Sequence, residues 1–313
     1  MRLLLAGVAL GLAGVGFAQA PIERRPPDQP IPMIHAETRL VNLPVNVTDA
    51  QGAPVGGLGR DDFEILEDGK PQKTAIFETE TKTPLSVVLA IDTSESTLRN
   101  ERLEKESAKK FVRALMRSQD EFDVMEFSDN VRELVSFTND ANRIDKGLSE
   151  LGRGDATALY DAIYLASQRL GETSGADGRR RVLVLITDGG DTVKGVHYAQ
   201  ALEQAQRAAA MVYSLIIVPV WADAGRNTGG EHALIQMGLD TGGKYYYVED
   251  AKDLSPALAK VSDDLRTQYL LGYYSPTRNK DTSFRSITIR MKDPALREKY
   301  TLRYRNGYYA NSH

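Results

Sequence analysis

The middle of the chain carries five short, nearly continuous apolar runs, and segments with helical patterning separate them. Strands that helices cover on both faces have no polar side, so such runs are typical of a buried, mostly parallel sheet. A further segment, "VRELVSF", is better interpreted as an antiparallel edge strand. The sequence therefore predicts a doubly wound α/β domain with a mostly parallel six-stranded sheet. The five runs are "LSVVLAID", "EFDVMEFS", "VLVLITDG", "VYSLIIVPV" and "KYYYVED".

Helices between the runs are indicated by their own periodicity. The segment "ALYDAIYLASQRL" repeats its apolar residues at the spacing of one helical turn, and "HYAQALEQAQRAAAMV" is rich in strong helix formers. A last helix is predicted over "LSPALAKVSDDLRTQ", with Ser255 as its N-cap and Pro256 at its first position. We expect these helices to cover the two faces of the sheet.

Both flanks of this region have the alternating pattern of half-buried strands. Residues 37–83 begin with "RLVNLPVNV" and contain an Asp68-Gly69 pair, which is a strong hairpin signal between short apolar runs. Residues 269–313 contain "YLLGYY", "FRSITIRM" and "YTLRYR". Neither flank is large enough to fold alone. We therefore expect the two flanks to close into one small β-sandwich, into which the α/β domain, residues 84–268, is inserted.

The residues before this fold read as an export signal and a linker. Residues 1–20 combine Arg2 with the apolar run "LLLAGVALGLAGVGF" and the small-residue sequence "AQA", which is typical of a secretory signal peptide; an uncleaved N-terminal anchor is the alternative. Residues 21–36 are proline-rich and predict a stiff, extended linker. We expect an exported protein, in the periplasm or outside the cell of a bacterium, with no integral membrane segment after signal cleavage.

Cysteine content and charge exclude several classes of protein. The chain has no cysteine, which excludes disulfides, thiolate metal sites and a lipid anchor on cysteine. The formal net charge of −4 and the pI near 5.7 give no electrostatic footprint for nucleic acid. One basic cluster, Arg179 to Arg181, leads directly into an apolar run. We interpret it as a charged strand entrance that faces water rather than as a phosphate-binding patch.

A cluster of small oxygen-bearing residues follows the first apolar run of the α/β region. Asp92, Ser94 and Ser96 form the pattern Asp-x-Ser-x-Ser at the point where that strand must end. In an open α/β sheet, ligands bind outside the carboxyl ends of the strands. One carboxylate and two hydroxyls are hard oxygen donors of the kind that Mg²⁺ prefers. The pattern therefore indicates a cation site at this edge of the sheet.

This pattern resembles the von Willebrand factor type A (VWA) domain family, whose metal-ion-dependent adhesion site (MIDAS) is assembled from three loops. The second loop of that site has a threonine before a helix, and "GDATALYDAI" supplies Thr157; the third has an aspartate that closes a later strand, and "VLVLITDGGD" supplies Asp188. The resemblance covers roughly residues 84–268. The whole chain also resembles the VWFA-related proteins typical of acidobacteria, a subgroup with no activity to transfer.

The VWA resemblance implies a set of ligands and a partner. Ser94, Ser96 and Thr157 would coordinate Mg²⁺, or Mn²⁺, directly, and Asp92 and Asp188 would bind it directly or through water. In the family, the open coordination position often takes a Glu or Asp side chain from a partner protein. The resemblance thus implies an adhesion or interaction site.

Three acidic residues near these loops receive other interpretations. Glu95 stands where many family members have glycine, and we expect its side chain to face solvent. Asp155 and Asp191 flank the second and third motifs. Each is better explained as a turn or cap residue than as a ligand, because aspartate commonly caps helices and stabilises turns.

An enzyme would need a nucleophile or a base, and the sequence offers few. The four histidines occur in no HExxH pattern, and no GxSxG elbow or phosphate-binding GxxxxGK loop is present. A Mg²⁺ that activates water generally needs a base or a second metal as well. We therefore expect a protein that is not an enzyme. The histidines are His35, His197, His232 and His313.

Two functions remain open from the sequence. The first is an exported binding module that engages an acidic residue of a partner protein through its divalent cation, in adhesion or in an interaction at the cell envelope. The alternative is an envelope scaffold or assembly protein in which the metal is structural and the contacts run through the β-sandwich.

Overall fold

The computed structural model describes residues 39–79, 82–95, 101–173, 178–218, 227–275 and 282–310. The predicted signal peptide, residues 1–20, and the predicted linker, residues 21–36, lie outside the described residues, and so does Ser96. No helix in the described ranges is long and apolar enough to cross a membrane.

Strands open and close the described chain, and helices alternate with strands between them. The strands are β1 (Arg39–Thr48), β2 (Phe63–Glu67), β3 (Lys70–Gln72), β4 (Ile76–Glu78), β5 (Leu85–Asp92), β6 (Glu121–Phe127), β7 (Val131–Thr138), β8 (Arg180–Thr187), β9 (Ala210–Ile217), β10 (Lys244–Val248), β11 (Tyr269–Ser275), β12 (Phe284–Met291), β13 (Thr301–Arg303) and β14 (Gly307–Tyr309). The helices are α1 (Glu101–Leu115), α2 (Ala141–Ser149), α3 (Leu159–Gly171), α4 (Tyr198–Arg207), α5 (Thr228–Thr241), α6 (Leu254–Arg266) and α7 (Pro294–Lys299).

The central sheet has six strands in the order β10-β9-β8-β5-β6-β7. Its pairs are parallel except β6 with β7, so the prediction of an antiparallel edge strand is confirmed. Alternate residues of β5 enter opposite cores: Val87 and Leu89 pack with residues of α1, α2 and α6, whereas Val88 and Ala90 pack with residues of α3, α4 and α5. Both faces of the strand are thus buried, which explains its uninterrupted apolar run.

Two four-stranded sheets, in the orders β13-β1-β11-β4 and β14-β12-β2-β3, are built from the flanks. Each sheet combines strands from before and after the central sheet, and β1 pairs antiparallel with β11 from Arg39 opposite Ser275 to Val45 opposite Tyr269. Apolar residues of both sheets form one core between them, among them Leu43. The predicted sandwich built from the two flanks, with the α/β fold inserted, is confirmed.

Two local predictions differ from the structure. The apolar run after the Asp68-Gly69 hairpin is divided: β3 pairs with β2, but β4 crosses to the other sheet and pairs with β11. The N-cap prediction for the last helix is wrong, because α6 begins at Leu254 and Ser255 lies inside it. A 3₁₀ turn over Ala251–Asp253 leads directly into α6, and the Asp250 carboxylate caps that turn by accepting from the Lys252 N–H at 3.0 Å.

The prediction that the basic cluster at the start of β8 faces water is also wrong. Arg180 and Arg181 are only 6% and 5% exposed. Arg180 donates to the carbonyl of Leu265 at 2.6 Å and to Gln268 Oε1 at 2.7 Å, and Arg181 donates to the carbonyl of Ala208 at 3.0 Å. These partners lie near the end of α6, just before β11 and just after α4, so contacts with other segments enclose the two side chains.

Candidate metal site

The first predicted loop begins at the carboxyl end of β5. Asp92 is 1% exposed, and its Oδ1 accepts a hydrogen bond from the Ser94 N–H at 3.0 Å. Its Oδ2 accepts from the Thr187 hydroxyl, at the end of the neighbouring strand β8, at 2.7 Å. Ser94 is also buried, whereas Glu95 is exposed, as predicted. The position of Ser96 in this loop falls outside the described chain.

The second loop carries Thr157 to the start of α3 and contacts both of the others. The Thr157 N–H donates to the Thr192 hydroxyl at 2.8 Å, and the Thr157 carbonyl accepts from the Thr192 N–H at 2.9 Å. On the other side, the Gly154 N–H donates to the Thr93 carbonyl at 3.1 Å. Hydrogen bonds between protein groups therefore hold the three loops together.

The third loop follows β8 and turns sharply after Asp188. Gly189 has a φ of +84°, a left-handed conformation that glycine adopts without steric cost. Asp188 Oδ1 accepts from the Gly190 N–H at 2.9 Å. A Cβ added to Gly190 would lie 3.1 Å from Asp188 Oδ1 and 4.0 Å from the Thr157 hydroxyl oxygen. These two oxygens thus approach one small volume, which glycine leaves open.

Electrostatics at this edge of the sheet favour a bound cation. Burial raises the pKa of Asp92 to about 6, and the nearby charge of Asp188 acts in the same direction. The hydrogen bonds from Ser94 and Thr187 partly oppose these effects. The charges of Asp92 and Asp188 repel each other, and a cation between them would relieve this repulsion and the cost of burying Asp92.

The oxygens brought together here fit a hard divalent cation. Asp92 and Asp188 supply carboxylates, Thr157 supplies a hydroxyl, and Ser94 supplies a second hydroxyl that bonds to the Asp92 carboxylate. Within the described ranges, no three His, Cys, Asp or Glu side chains are grouped so that they could hold a metal, so a cation here would depend on the hydroxyls as well. An all-oxygen set of this kind suits Mg²⁺ or Mn²⁺ better than softer metals.

Of the two flanking aspartates, Asp191 has the surroundings expected of a cap residue. Asp191 Oδ1 accepts from the Tyr160 N–H at 3.3 Å, in the first turn of α3. Burial raises the pKa of Asp191, and the hydrogen bonds from the start of α3 oppose this effect. Asp155 is exposed, and its N–H donates to Asp129 Oδ2 at 3.1 Å.

Sequence reasoning missed the residues that position the loops. Thr187 and Thr192 supply the hydroxyls described above, and Asn227 Nδ2 donates to the Gly189 carbonyl at 3.4 Å. At the start of α5, a Cβ on Gly230 would lie 1.7 Å from that same carbonyl oxygen, so only glycine permits this approach. Thr187 had a signal, since it is the polar residue that ends an apolar strand beside Asp188. No sequence pattern pointed to Thr192, Asn227 or Gly230.

The centre of the chain matches the model of a protein family. Residues 87–191 match the model of the von Willebrand factor type A domain. This segment contains all five predicted ligand positions and β5 from Val87 onward. No curated protein matches the sequence of the chain.

Solved structures with the same fold are distant in sequence. Proximal thread matrix protein 1 from the mussel byssus is 13% identical, with 64% of this chain and 51% of that chain covered and a TM-score of 0.50. An aerotolerance-related membrane protein from Bacteroides fragilis is 21% identical, covering 57% and 98%, with a TM-score of 0.43. The vWF domain of the type V pili tip protein Mfa5 from Porphyromonas gingivalis is 11% identical, covering 59% and 96%, with a TM-score of 0.49. The central α/β fold is VWA-like.

Proposed function

We propose that the chain is an exported protein-binding module that uses a MIDAS to engage a Glu or Asp side chain of a partner protein. Mg²⁺, or Mn²⁺, is the bound cation. Ser94, Ser96 and Thr157 coordinate it, and Asp92 and Asp188 bind it directly or through water.

The observation that carries this proposal is the convergence of three loops at the carboxyl end of the central sheet. Asp92 contacts Thr187 next to Asp188, and the Thr157 hydroxyl approaches the same open volume as Asp188 Oδ1. Asp92, Ser94, Thr157 and Asp188 lie in loops at the same edge of the sheet, although the sequence separates them by as much as 96 positions, and this supports the proposal. The match of residues 87–191 to the VWA model supports the same conclusion.

Charge balance explains why the partner is acidic. Two carboxylates neutralise one divalent cation, so the occupied site is close to neutral and the cation keeps its attraction for another anionic oxygen. Glu95, next to Ser94 in the chain, is exposed and adds no positive charge to this surface. A partner carboxylate therefore binds the ion itself rather than the surrounding surface.

The contacts between the loops favour adhesion over a purely structural metal. Thr157, Thr192, Gly154 and Thr93 join the loops through protein hydrogen bonds, which need no ion. The loops therefore do not depend on the cation for these contacts, and the cation can keep a coordination position for a partner. We place the chain among binding proteins rather than enzymes because VWA domains are generally interaction modules.

Partner capture from an envelope extract tests the proposal. The purified chain is immobilised in Mg²⁺ or in EDTA, as the parent, as Asp188→Asn and as Asp191→Asn; the last variant is the matched control, since Asp191 caps α3. We expect a protein that is retained by the parent and the control in Mg²⁺ and is lost in EDTA and with Asp188→Asn. A partner that all of these samples retain equally would support the scaffold alternative.

A further inference from the structure

A cavity lies at the opposite end of the central sheet from the candidate metal site. It has a volume of about 80 Å³, and residues of β1, the start of β8 and the C-terminal strands line it. A single enclosed water needs roughly 10–15 Å³ by this measure, so the cavity has room for several waters or for one ion the size of phosphate. The cavity is therefore of a size for a small ligand and is too small to receive the surface of another protein.

Arginine dominates the wall of this cavity. Five arginines line it, and no acidic residue stands among the described lining residues. Three come from the cluster at the start of β8, and two come from the sandwich. The five are Arg39, Arg179, Arg180, Arg181 and Arg305.

Arg180 and Arg305 bond to neutral oxygens, whereas Arg179 has an acidic partner. Arg179 pairs with Glu121 at 3.3 Å. Arg180 donates to the carbonyls of Leu265 and Thr83 and to the Gln268 amide, and Arg305 donates to the Asn42 carbonyl at 2.9 Å. Neither Arg180 nor Arg305 forms an ion pair within the described part of the chain, and the Nε–H of each reaches no acceptor there. Two of the lining arginines thus keep an unused N–H donor.

The arginines also act on one another. The guanidinium carbons of Arg39 and Arg305 each lie 5.6 Å from the ring centre of Tyr308. Burial lowers the pKa of Arg305 to about 10, and the charges of Arg39 and Arg181 lower it further. Burial likewise lowers the pKa of Arg180 to about 10. At Arg180 the charges of Asp120 and Glu78 oppose this effect in part. A bound anion would lower the cost of holding these cations close together.

We propose that this arginine-lined cavity binds a phosphate-class oxyanion, either inorganic phosphate or the phosphate group of a phosphomonoester. Arginine residues of β1, of the start of β8 and of the segment after β13 line the cavity, and a tetrahedral ion presents oxygens in several directions. Arginine is the side chain best suited to such an ion, because its planar fork donates two parallel hydrogen bonds. A flat carboxylate would satisfy fewer of these groups.

The anion site is independent of the metal site. Strand β8 carries Arg180 at its first residue and reaches Thr187 at its last, so the two sites lie at opposite ends of one eight-residue strand. Eight residues in a strand span roughly 26 Å. Phosphate binding can therefore be measured in EDTA, where Mg²⁺ cannot recruit phosphate at the other end, and its failure would leave the proposed metal site untouched.

Calorimetric titration of the full chain in EDTA, at constant ionic strength, tests the proposal with two probes, inorganic phosphate and glycerol 3-phosphate. Arg305→Gln removes one wall cation, and Asn42→Asp places a carboxylate in the wall with almost no change in shape. Arg143→Gln, on the exposed face of α2, is the matched control. We expect saturable binding that each wall variant weakens by at least about tenfold and the control leaves unchanged.

The two probes separate the sources of the phosphate group. Tighter binding of glycerol 3-phosphate assigns the site to a phosphomonoester, and tighter binding of inorganic phosphate assigns it to the free ion. If Arg305→Gln does not fold, Asn42→Asp decides the result alone. Absence of saturable binding of both probes by the parent chain would overturn the proposal, and so would an Asn42→Asp variant that binds as tightly as the parent.

Discussion

The hydroxyl of Thr187 donates a 2.7 Å hydrogen bond to Asp92 Oδ2, and this bond joins the carboxyl ends of β8 and β5. Both residues are buried, with 0% and 1% of their surface exposed. The hydrogen bond fixes Asp92, the first aspartate of the candidate metal site, from the strand that Asp188, the last one, directly follows. The site is therefore organised by neighbouring strands of the sheet as well as by its loops.

Replacing Thr187 with valine keeps the shape of the side chain and removes this donor. A buried carboxylate oxygen would then lose its partner, so we expect Thr187→Val to lower the free energy of unfolding by about 1.5–3 kcal/mol in EDTA. Urea denaturation measures it. Thr301→Val, at an exposed position of β13, is the control and should change stability by less than about 0.5 kcal/mol. An equal effect of both variants would show that the hydrogen bond has no special role.

The approach of α5 to the third loop predicts opposite effects at adjacent glycines. A Cβ at Gly230 would lie 1.7 Å from the Gly189 carbonyl oxygen, whereas a Cβ at Gly229 would meet its nearest atom at 3.8 Å. We expect Gly230→Ala to destabilise the protein by about 2 kcal/mol or more and to weaken Mg²⁺ binding, because the loop that carries Asp188 must move. Gly229→Ala should leave stability the same or raise it by up to about 1 kcal/mol. Thermal unfolding with and without Mg²⁺ measures both, and similar melting curves for the two variants would contradict the packing described here.

A buried carboxylate joins the two flanks inside the sandwich. Glu67, from the N-terminal flank, accepts hydrogen bonds from the C-terminal residues Tyr273 at 2.5 Å, Tyr308 at 2.9 Å and Ser275 at 2.9 Å. We expect Tyr273→Phe to cost about 1.5–3 kcal/mol of unfolding free energy. The neighbouring Tyr274 is 56% exposed, so Tyr274→Phe is the control and should cost less than about 0.5 kcal/mol. Denaturant titration measures the free energy of unfolding of both variants. A Tyr273→Phe variant as stable as the parent would argue against a sandwich closed by both flanks.

The edge of the central sheet predicts a pH dependence of stability. Asp123 lies at a bulge between β6 and β7, and burial, with the neighbouring Glu133 carboxylate, raises its pKa from 3.8 to about 8. Because the folded protein favours the protonated carboxyl, this contribution is fully present below pH 4 and is lost as the pH rises to about 8.

The variant Asp123→Asn cannot titrate and should escape this loss. The stability of the variant relative to the parent should therefore rise between pH 4 and 8, with a slope of at most about 1.4 kcal/mol per pH unit. Measuring the difference between the two proteins cancels the contribution of Asp92. Parallel stability curves for the parent and Asp123→Asn would exclude Asp123 as the titrating group.

The sequence predicted those features that depend on local pattern. The run from Leu85 to Asp92 is apolar throughout because helices cover both of its faces, and this pattern by itself indicates a central strand. The candidate ligands Asp92, Thr157 and Asp188 each end a strand or precede a helix, and parallel strands bring such ends to one edge.

The features that the sequence did not predict depend on contacts between distant segments. Arg180 and Arg181 resemble a solvated strand entrance, and contacts with the end of α6 and with the residue after α4 enclose them. Ser255 has the pattern of an N-cap, but the 3₁₀ turn capped by Asp250 starts the helix earlier. Propensity could not distinguish the two starts, since each offers a good capping residue.

The most direct test of the metal site is a thermal melt of the protein in about 1 mM Mg²⁺ and in EDTA, made on the parent, on Asp188→Asn and on the control Asp191→Asn. With a dissociation constant near 10 μM, Mg²⁺ should stabilise the parent and the control by about 2.7 kcal/mol, which corresponds to a rise of about 5–10 °C in melting temperature, and should leave Asp188→Asn unchanged. Melting temperatures of the parent that are equal in Mg²⁺ and EDTA, or a rise of the same size in Asp188→Asn, would contradict the account.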